Sequence, residues 1–359
     1  MAQLRNIYDK ATLRKRLDSE PFERHTISFY RYVIIADPHA MRDELYSEWS
    51  KIGALGRIYI AREGINAQMS VPVPHFDEFI RLLYARKEFN SIPFKHAVDG
   101  DGKGFLKLTI KVRNKIVADG LNDDSFDVTN VGKHLNAREW NEAMQQPDIV
   151  IVDMRNQYES EVGHFEGALL PDADTFKEEL PMVLDQLKGK EDKKVLLYCT
   201  GGVRCEKASA FLKHHGFQDV NQLHGGIIDY VRQIRTEQLP SRFIGKNFVF
   251  DERLGERITN DIIAKCHQCG SPCDDHTNCA NDACHLLFIQ CSECKAKFDG
   301  CCTPACRDIL HLPENEQRRI RREIGKNDSL SVYKSRLRPN LSALIAEGKT
   351  SWKLHESKQ

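Results

Sequence analysis

The sequence predicts a multidomain protein of mixed α/β and α+β type that ends in a cysteine-rich segment. Strand and helix patterns follow the order βαββαβ over roughly the first 112 residues. From about residue 126 onward, single strands alternate with helices, which is typical of a parallel sheet covered on both faces. Ten of the twelve cysteines then fall between Cys266 and Cys306. We predict domains over residues 1–120, 126–240 and 241–312, followed by a basic polar tail over 313–359.

The first region has the patterns of four strands and two helices. Helical spacing of apolar residues predicts helices from Pro38 to Gly53 and from Pro74 to Arg86. Their order with the strands is that of a ferredoxin-like split βαβ unit. The glycine-rich run Asp99–Gly104 resembles a phosphate-binding loop, but no strand precedes it and no helix follows it. We therefore predict an ordinary loop there. The predicted strands are 26–36, 57–61, 65–71 and 105–112.

A turn-rich linker, residues 119–127, separates this region from the central one. Asn136 and Glu139 form a capping-box pattern that predicts a helix to about Met144. Two short apolar runs have the composition of strands buried on both faces. The predicted strands are 149–152, 195–198 and 220–223, and the further predicted helices are 181–188, 206–215 and 226–234.

Charge and hydropathy exclude some classes of protein. Lys plus Arg and Asp plus Glu both total 52, so the net charge indicates no partner, although the segment from Pro313 to Gln359 has a net charge of +5. The N-terminus lacks the apolar core of a secretory signal, and no apolar run approaches the roughly 18 residues that span a bilayer. We expect a cytoplasmic protein without membrane contact.

Cys199 stands where a thiol becomes a nucleophile. It ends a buried strand, a glycine pair follows, and a helix starts near Arg204. Amides at a helix N-terminus, a curled glycine loop and a guanidinium all favour the thiolate and lower the pKa of a thiol. We therefore predict Cys199 as the catalytic nucleophile with Arg204 beside it. The loop amides predicted to face the sulfur are those of Thr200, Gly201, Gly202 and Val203.

The central region resembles rhodanese domains. Four motifs occur in the family's order: Asp153-Met-Arg155, Gly163-His-Phe-Glu-Gly-Ala168, CTGGVR from Cys199, and Leu223-His-Gly-Gly226. The resemblance implies a five-stranded parallel sheet flanked by helices. Related phosphatases have a Cys-x5-Arg loop that fits tetrahedral phosphate, whereas the shorter Cys-x4-Arg loop here suits a sulfur atom and disfavours phosphatase activity.

Beyond the central region, the chain has an N-terminal ferredoxin-like unit, the loop CTGGVRCEKAS, the segment FIGKNFVFDERLGERI and a cysteine block that begins with CHQCG. With these features, nearly the whole chain up to about Cys306 is similar to the bacterial rhodanese-type tRNA uridine hydroxylases. That resemblance implies oxygen-dependent conversion of wobble uridine to 5-hydroxyuridine, with the tRNA anticodon loop as partner and molecular oxygen as cosubstrate. Cys199, Arg204 and Cys205 stand where that family has them. The chain shows no flavin or nicotinamide motif. The alternatives are a sulfurtransferase that acts through a Cys199 persulfide and a non-catalytic module that binds a partner.

Two mechanisms are open for a hydroxylase. Cys199 adds to C6 of uracil and activates C5, or it carries a persulfide or oxidised sulfur that is spent in turnover. Cys205 is a candidate resolving thiol, and its simpler interpretation is a helix residue packed on the sheet. Asp153 and Arg155 are predicted as a supporting ion pair at the rim of the site.

The ten C-terminal cysteines predict a metal-binding region. Cys266, Cys269, Cys291 and Cys294 form two CxxC pairs at nearly zinc-ribbon spacing. Structural zinc is the leading interpretation, and an iron–sulfur cluster or metal-free cysteines are the alternatives. A second site is expected among the remaining cysteines, with His276 or His285 as substitutes. Those cysteines are Cys273, Cys279, Cys284, Cys301, Cys302 and Cys306.

Several basic and aromatic residues are candidates for RNA contact. Phosphates of tRNA need cationic side chains, and unstacked bases need aromatic ones. Phe248 and Phe250 are possible stacking residues, although core packing is the simpler interpretation. The cationic candidates are Arg318, Arg319, Arg321, Arg322, Lys334, Arg336 and Arg338 in the tail and Lys107, Lys111 and Arg113 near the last N-terminal strand.

Overall fold

The N-terminal domain is a mixed five-stranded sheet with two helices packed on one face. The computed structural model describes residues 8–97, 102–121, 126–327 and 340–348. Trp49 and Phe79 from the two helices are fully buried against the apolar face of the sheet. The elements are α1 (Lys10–Asp18), β1 (Arg24–Tyr32), α2 (Pro38–Lys51), β2 (Leu55–Ala61), β3 (Gly64–Pro72), α3 (Phe76–Tyr84), β4 (Lys95–His96) and β5 (Leu108–Val112), with a 3-10 turn at Val73–His75.

The last predicted strand of this domain forms, but at an unexpected place. The strand order is β4-β1-β3-β2-β5, and β5 pairs parallel with β2 at the far edge. The two residues Lys95–His96 take the place beside β1. Alternation of side chains reveals a strand but not its partner, which explains the difference. Residues 99–101 of the glycine-rich segment lie outside the described residues, and the rest of it forms no helix or strand.

The central domain is a parallel sheet with helices around it. In the described chain the sheet has four strands, in the order β6-β10-β9-β7, so the expectation of five is corrected. Where a fifth strand was expected, the chain forms only an isolated parallel bridge between Val152 and Leu169. The elements are β6 (Lys133–Leu135), α4 (Ala137–Ala143), β7 (Ile149–Asp153), α5 (Gln157–Ser160), β8 (Gly163–Phe165), α6 (Phe176–Gln186), β9 (Lys194–Tyr198), α7 (Val203–His214), β10 (Asp219–Leu223) and α8 (Gly226–Glu237).

Two helices of this domain begin earlier than predicted. Helix α6 starts at Phe176 because the Thr175 hydroxyl accepts a bond from the Glu178 amide, and Pro181 therefore lies inside the helix. Helix α7 starts at Val203, directly on the glycine pair. The capping box predicted from Asn136 and Glu139 is present at the start of α4.

The C-terminal region is built from short strands and helices around the cysteines. Its elements are β11 (Phe243–Asn247), β12 (Glu256–Arg257), β13 (His276–Asn278), β14 (Leu287–Ile289), α9 (Ser292–Lys297), α10 (Pro304–Leu310), α11 (Glu314–Asn327) and α12 (Leu341–Ala346). Leu341 and Leu344 of α12 are buried among the cysteines. This part of the predicted polar tail therefore belongs to the cysteine-rich core.

Contacts divide the chain into two compact units. One holds the N-terminal and central domains, residues 1–156, 165–242 and 249–256. The other holds the cysteine-rich region together with two short inserted segments, residues 157–164, 243–248 and 257–359. Among the described residues, no helix is both long enough and apolar enough to cross a membrane.

Candidate active site and cysteine clusters

The cysteine loop joins strand β9 to helix α7 in a tight turn. Gly202 caps the helix with φ +94°, a conformation that glycine adopts without strain. Its amide donates a hydrogen bond of 3.1 Å to Sγ of Cys199. The sulfur therefore lies at the amino end of a twelve-residue helix, where an anion is stabilised.

Helix α8 supports this loop through its first amides. Ile227 donates to the carbonyl of Cys199 at 3.0 Å, and Ile228 donates to that of Thr200 at 3.2 Å. Gly226 has φ +69°, and a Cβ there would lie 2.5 Å from the Cys199 carbonyl oxygen. A side chain at position 226 would therefore displace the loop, which gives Gly226 at the start of α8 a structural role.

Cys199 and Cys205 form a pair with opposite protonation. Burial raises the pKa of Cys199, but the Cys205 thiol and the Arg204 guanidinium outweigh it and lower this pKa to about 5. Arg204 is held near the loop by a 3.4 Å contact with the Thr200 hydroxyl. Burial, and then the hydrogen bond with Cys199 and the charge of its thiolate, raise the pKa of Cys205 well above its usual value. At neutral pH the pair is one thiolate and one thiol.

Asp153 and Arg155 form a buried ion pair below the loop. The Arg155 guanidinium donates to both carboxylate oxygens of Asp153, at 2.8 and 2.6 Å, and both side chains are fully buried. The Tyr198 hydroxyl also donates to Asp153 at 2.7 Å. Because Tyr198 directly precedes Cys199, this pair positions the strand end that carries Cys199.

The N-terminal domain contributes side chains to the same site, which the sequence did not reveal. Tyr30 donates from its hydroxyl to the Glu206 carboxylate at 2.9 Å, and Tyr32 donates to the Val203 carbonyl at 3.3 Å. A Cβ at Gly202 would lie 3.0 Å from the Tyr30 hydroxyl oxygen. The two tyrosines lie on the face of β1 opposite Phe29. The alternation of tyrosines with apolar residues along this strand was the one sequence signal that they point away from the core.

Lys95 from the short strand β4 is the cation among these N-terminal side chains. Its ammonium lies 4.2 Å from the centre of the Tyr30 ring. Burial lowers the pKa of Lys95 to about 8, against the raising effect of Cys199, Asp229 and Glu206. Cys199 has no exposed surface in this state, so a substrate reaches its sulfur only after covering groups move.

Two groups of four cysteines converge in the C-terminal region. The first is Cys266, Cys269, Cys291 and Cys294, and the second is Cys279, Cys284, Cys302 and Cys306. Within each group the sulfurs lie within 4.8 Å of one another. Tetrahedral ligands at a metal–sulfur distance of about 2.3 Å are about 3.8 Å apart. The contacts of 3.7 Å in the first group, and of 3.6 and 3.5 Å in the second, fit one metal ion in each.

In both groups, backbone amides donate hydrogen bonds to cysteine sulfurs, as they do to metal-bound thiolates. In the first, Cys291 donates its amide to Sγ of Cys266 at 3.4 Å. In the second, Cys302 donates its amide to Sγ of Cys279 at 3.4 Å. The first group has one exposed member, Cys269, whereas all four members of the second are buried. We refer to them as the outer and the inner cluster.

Two buried glutamines connect the clusters. Gln268, inside the first CxxC pair, donates to the carbonyls of Cys301 and Cys302 at 3.0 and 2.9 Å. Gln290, next to Cys291, donates to Gln268 at 2.9 Å and to the Cys301 carbonyl at 3.2 Å. The outer cluster is therefore tied to the backbone of the inner one.

Comparison with known proteins assigns the chain to a family. Three family models match: the UPF0176 acylphosphatase like domain at residues 24–116, the rhodanese-like domain at 136–233 and the rhodanase C-terminal region at 244–307. A tRNA uridine(34) hydroxylase from Leptospira interrogans is 58% identical over 95% of this chain and 93% of that protein. One from Yersinia enterocolitica is 51% identical over 93% of this chain and 95% of that protein. The chain belongs to the tRNA uridine(34) hydroxylase family.

Solved structures match a smaller part of this hydroxylase family member at lower similarity. A rhodanese-like domain protein from Staphylococcus aureus is 24% identical, with a TM-score of 0.23, over 27% of this chain and 90% of that one. A rhodanese-like domain from Anabaena is 18% identical, with a TM-score of 0.25, over 31% of this chain and 78% of that one.

The structure also shows which predicted residues of the family member stand apart from these sites. Cys273 and Cys301 belong to neither cluster, and neither cluster includes His276 or His285. Phe248 packs against the His276 ring, which agrees with the packing interpretation.

The arginines of helix α11 are exposed. Arg318 pairs with Glu314, and Arg321 pairs with Asp282 at 3.1 Å. Neither Arg319 nor Arg322 has an ion pair among the described residues, and RNA binding by these four stays a prediction. Lys334, Arg336 and Arg338 lie outside the described residues.

Proposed function

We propose that this protein hydroxylates C5 of the wobble uridine in the anticodon loop of tRNA, with Cys199 as the reacting group. The observation that carries the proposal is a thiol with a pKa of about 5, held by the Gly202 amide and Arg204. Such a thiol is a nucleophile throughout the physiological pH range. Relatives at 50–58% identity that are named tRNA uridine(34) hydroxylases supply the substrate.

The first chemical step activates the base. The Cys199 thiolate forms a bond to C6 of uracil, and the C5–C6 π electrons move onto C5 and the O4 oxygen as an enolate. Arg204, the loop amides and Lys95 are the groups whose charge or dipoles stabilise that anion. Stabilising an anion inside a buried site is worth more than in water, because no solvent screens it.

The next steps transfer one oxygen atom from O2. The C5 electron pair bonds to O2, and protonation gives a C5 hydroperoxide. The Cys205 thiol attacks the terminal oxygen, which leaves a hydroxyl on C5 and a sulfenic acid on Cys205. Loss of the C5 proton expels Cys199 and restores the double bond. Two molecules of a small thiol then reduce Cys205, releasing water and a disulfide.

We further propose that zinc occupies both cysteine clusters and serves a structural role. Sulfur contacts of 3.5–3.7 Å match a single tetrahedral ion. The ligands of a four-iron cluster bind separate iron atoms and lie farther apart, so these distances favour a mononuclear site. The apolar side chains around the clusters form two small cores, and metal binding stabilises such small regions.

Nucleoside analysis tests the assignment. Cells without the gene should lack 5-hydroxyuridine derivatives in their tRNA, and the wild-type gene should restore them while the Cys199→Ser gene does not. Unchanged nucleosides in the deletion strain would contradict the proposal.

Isotope labelling and mass spectrometry of the protein test the chemistry. Reaction of the pure enzyme with heavy-isotope O2 should place the label in the product, and label arriving from water instead would exclude the oxygen step. A nucleotide adduct trapped on Cys199 supports addition to C6. A gain of sulfur on Cys199, together with thiosulfate:cyanide activity, would support the sulfurtransferase instead.

A further inference from the structure

One face of the N-terminal sheet is not covered by α2 and α3. On this face, strand register aligns side chains in two rows, which we call the open face. The first row is Lys95, Ser28, Gln68, Arg57 and Thr109, and the second is Tyr30, Asn66, Tyr59 and Lys111. All nine are polar or aromatic, whereas the intervening residues are buried in the helical core. An antiparallel sheet commonly buries one face in the core and leaves the other face polar, as here.

The outer edge of the open face carries four cations: Arg57, Lys107, Lys111 and Arg113. All four are exposed, and among the described residues none forms an ion pair. Burial, and repulsion by the other three cations, lower the pKa of Lys111, so the charges lie within range of one another. Uncompensated like charges of this kind are stabilised by a polyanion.

Aromatic rings lie between this edge and the active site. Tyr59 is half-buried beside Lys111 in its row, and the Arg113 guanidinium lies 5.8 Å from its ring centre. The inner end of the same row is Tyr30, which contacts the cysteine loop at Gly202 and Glu206. Strands are about 4.8 Å apart, so the row spans about 14 Å from Lys111 to Tyr30.

We propose that the open face binds the single-stranded RNA of the anticodon loop and leads it to Cys199. In this proposal Arg57, Lys107, Lys111 and Arg113 contact phosphates, and Tyr59 stacks on a base flanking the target. Aromatic side chains between cations on a sheet are the chemistry that binds unpaired nucleotides without reading duplex grooves. The inference rests on the proposed function, since it identifies how that substrate reaches the site.

Binding of a short RNA hairpin carrying the anticodon loop tests the open face. The Arg57→Ala/Lys111→Ala variant should bind the hairpin roughly tenfold more weakly, with the slope of log affinity against log salt reduced by about 1.4. The control Lys51→Ala/Lys87→Ala removes two exposed cations beside the helices of the same domain and should bind within about twofold of wild type. Equal binding by the two double variants would overturn the proposal.

Tyr59 separates stacking from charge. Tyr59→Leu should weaken hairpin binding about tenfold while Tyr59→Phe keeps it, because stacking needs only the ring. In turnover the defect should appear in KM with kcat within about twofold, and unfolding temperatures should match wild type. Full binding by a folded Tyr59→Leu variant contradicts the stacking role.

Binding measured with the Cys199→Ser protein keeps the two proposals apart. If the hairpin binds through the open face but wild type hydroxylates nothing, the proposed function fails and the surface stands. If wild type hydroxylates tRNA and the open-face variants bind and react normally, the surface fails and the function stands.

Discussion

The cysteine loop and the two cysteine clusters use the same side chain in opposite surroundings. In the loop, one sulfur receives the Gly202 amide and the charge of Arg204, and its neighbour Cys205 keeps its proton. In each cluster, four sulfurs lie within 4.8 Å of one another, and the shortest contacts are 3.5–3.7 Å. A thiolate that is stabilised by a fixed cation keeps a lone pair for chemistry, whereas converging thiolates need a metal ion between them. The neighbours of a cysteine, rather than its burial, decide its role, because both kinds are mostly buried.

The largest expected effect removes the loop thiolate. Cys199→Ser should lower hydroxylation on the order of a thousandfold or more, because a serine hydroxyl is not ionised at neutral pH. The unfolding temperature should stay close to that of wild type, since the change keeps the shape of the side chain. The assay is product formation on tRNA followed by mass spectrometry. A serine variant with near wild-type turnover would remove the loop from the mechanism.

Loss of a cluster ligand should affect stability instead. Cys302→Ser in the inner cluster should reduce the metal content from two ions per chain to one and lower the free energy of unfolding on the order of 5 kcal/mol. Cys269→Ser, at the exposed position of the outer cluster, should cost less. Cys273→Ser is the matched control outside both clusters, and it should keep two ions. Metal analysis and denaturant titration measure these outcomes, and a Cys302→Ser protein with two ions would refute the assignment.

The connection between the clusters should give an intermediate effect. Gln268→Leu removes the donor to the Cys301 and Cys302 carbonyls and should destabilise the protein by about 2–3 kcal/mol, because buried acceptors lose their partners. Gln317 donates to two carbonyls at a less buried position, so Gln317→Leu is a control with an expected cost of about 1 kcal/mol. Denaturant titration compares the two, and equal costs would argue against a buried connection.

The smallest expected effect is on the pH dependence of hydroxylation, through the charge of Lys95 beside the cysteine loop. The thiolate of Cys199 is lost as the pH falls through about 5, and the ammonium of Lys95 is lost as the pH rises through about 8. Hydroxylation should therefore follow a bell-shaped profile with limbs near these values. Lys95→Arg should remove the upper limb and leave the lower one, at an activity within a few fold of wild type at pH 7. An upper limb that persists in Lys95→Arg would exclude Lys95 as its origin.

Local features of the fold were predictable because their partners are close in the chain. The capping box of Asn136 and Glu139 and the loop from Cys199 to Arg204 each lie within six residues, so spacing alone indicates their geometry. The position of β5 and the reduced fifth strand at Leu169 were not predictable. Strand pairing between distant segments depends on which faces become buried, and periodicity does not record that.

The site divides in the same way. By itself the sequence predicted a nucleophilic cysteine with an arginine beside it, and it determined the glycines of the loop and the crowding of ten cysteines near the C-terminus. Only the tertiary structure decided that the thiols separate into two groups of four, with Cys273 and Cys301 outside. Only it brought Tyr30 and Lys95 to the loop, more than a hundred residues away in the chain. The physical reason is range: backbone conformation follows from adjacent residues, whereas the charges and rings around a buried sulfur are set by how separate domains pack.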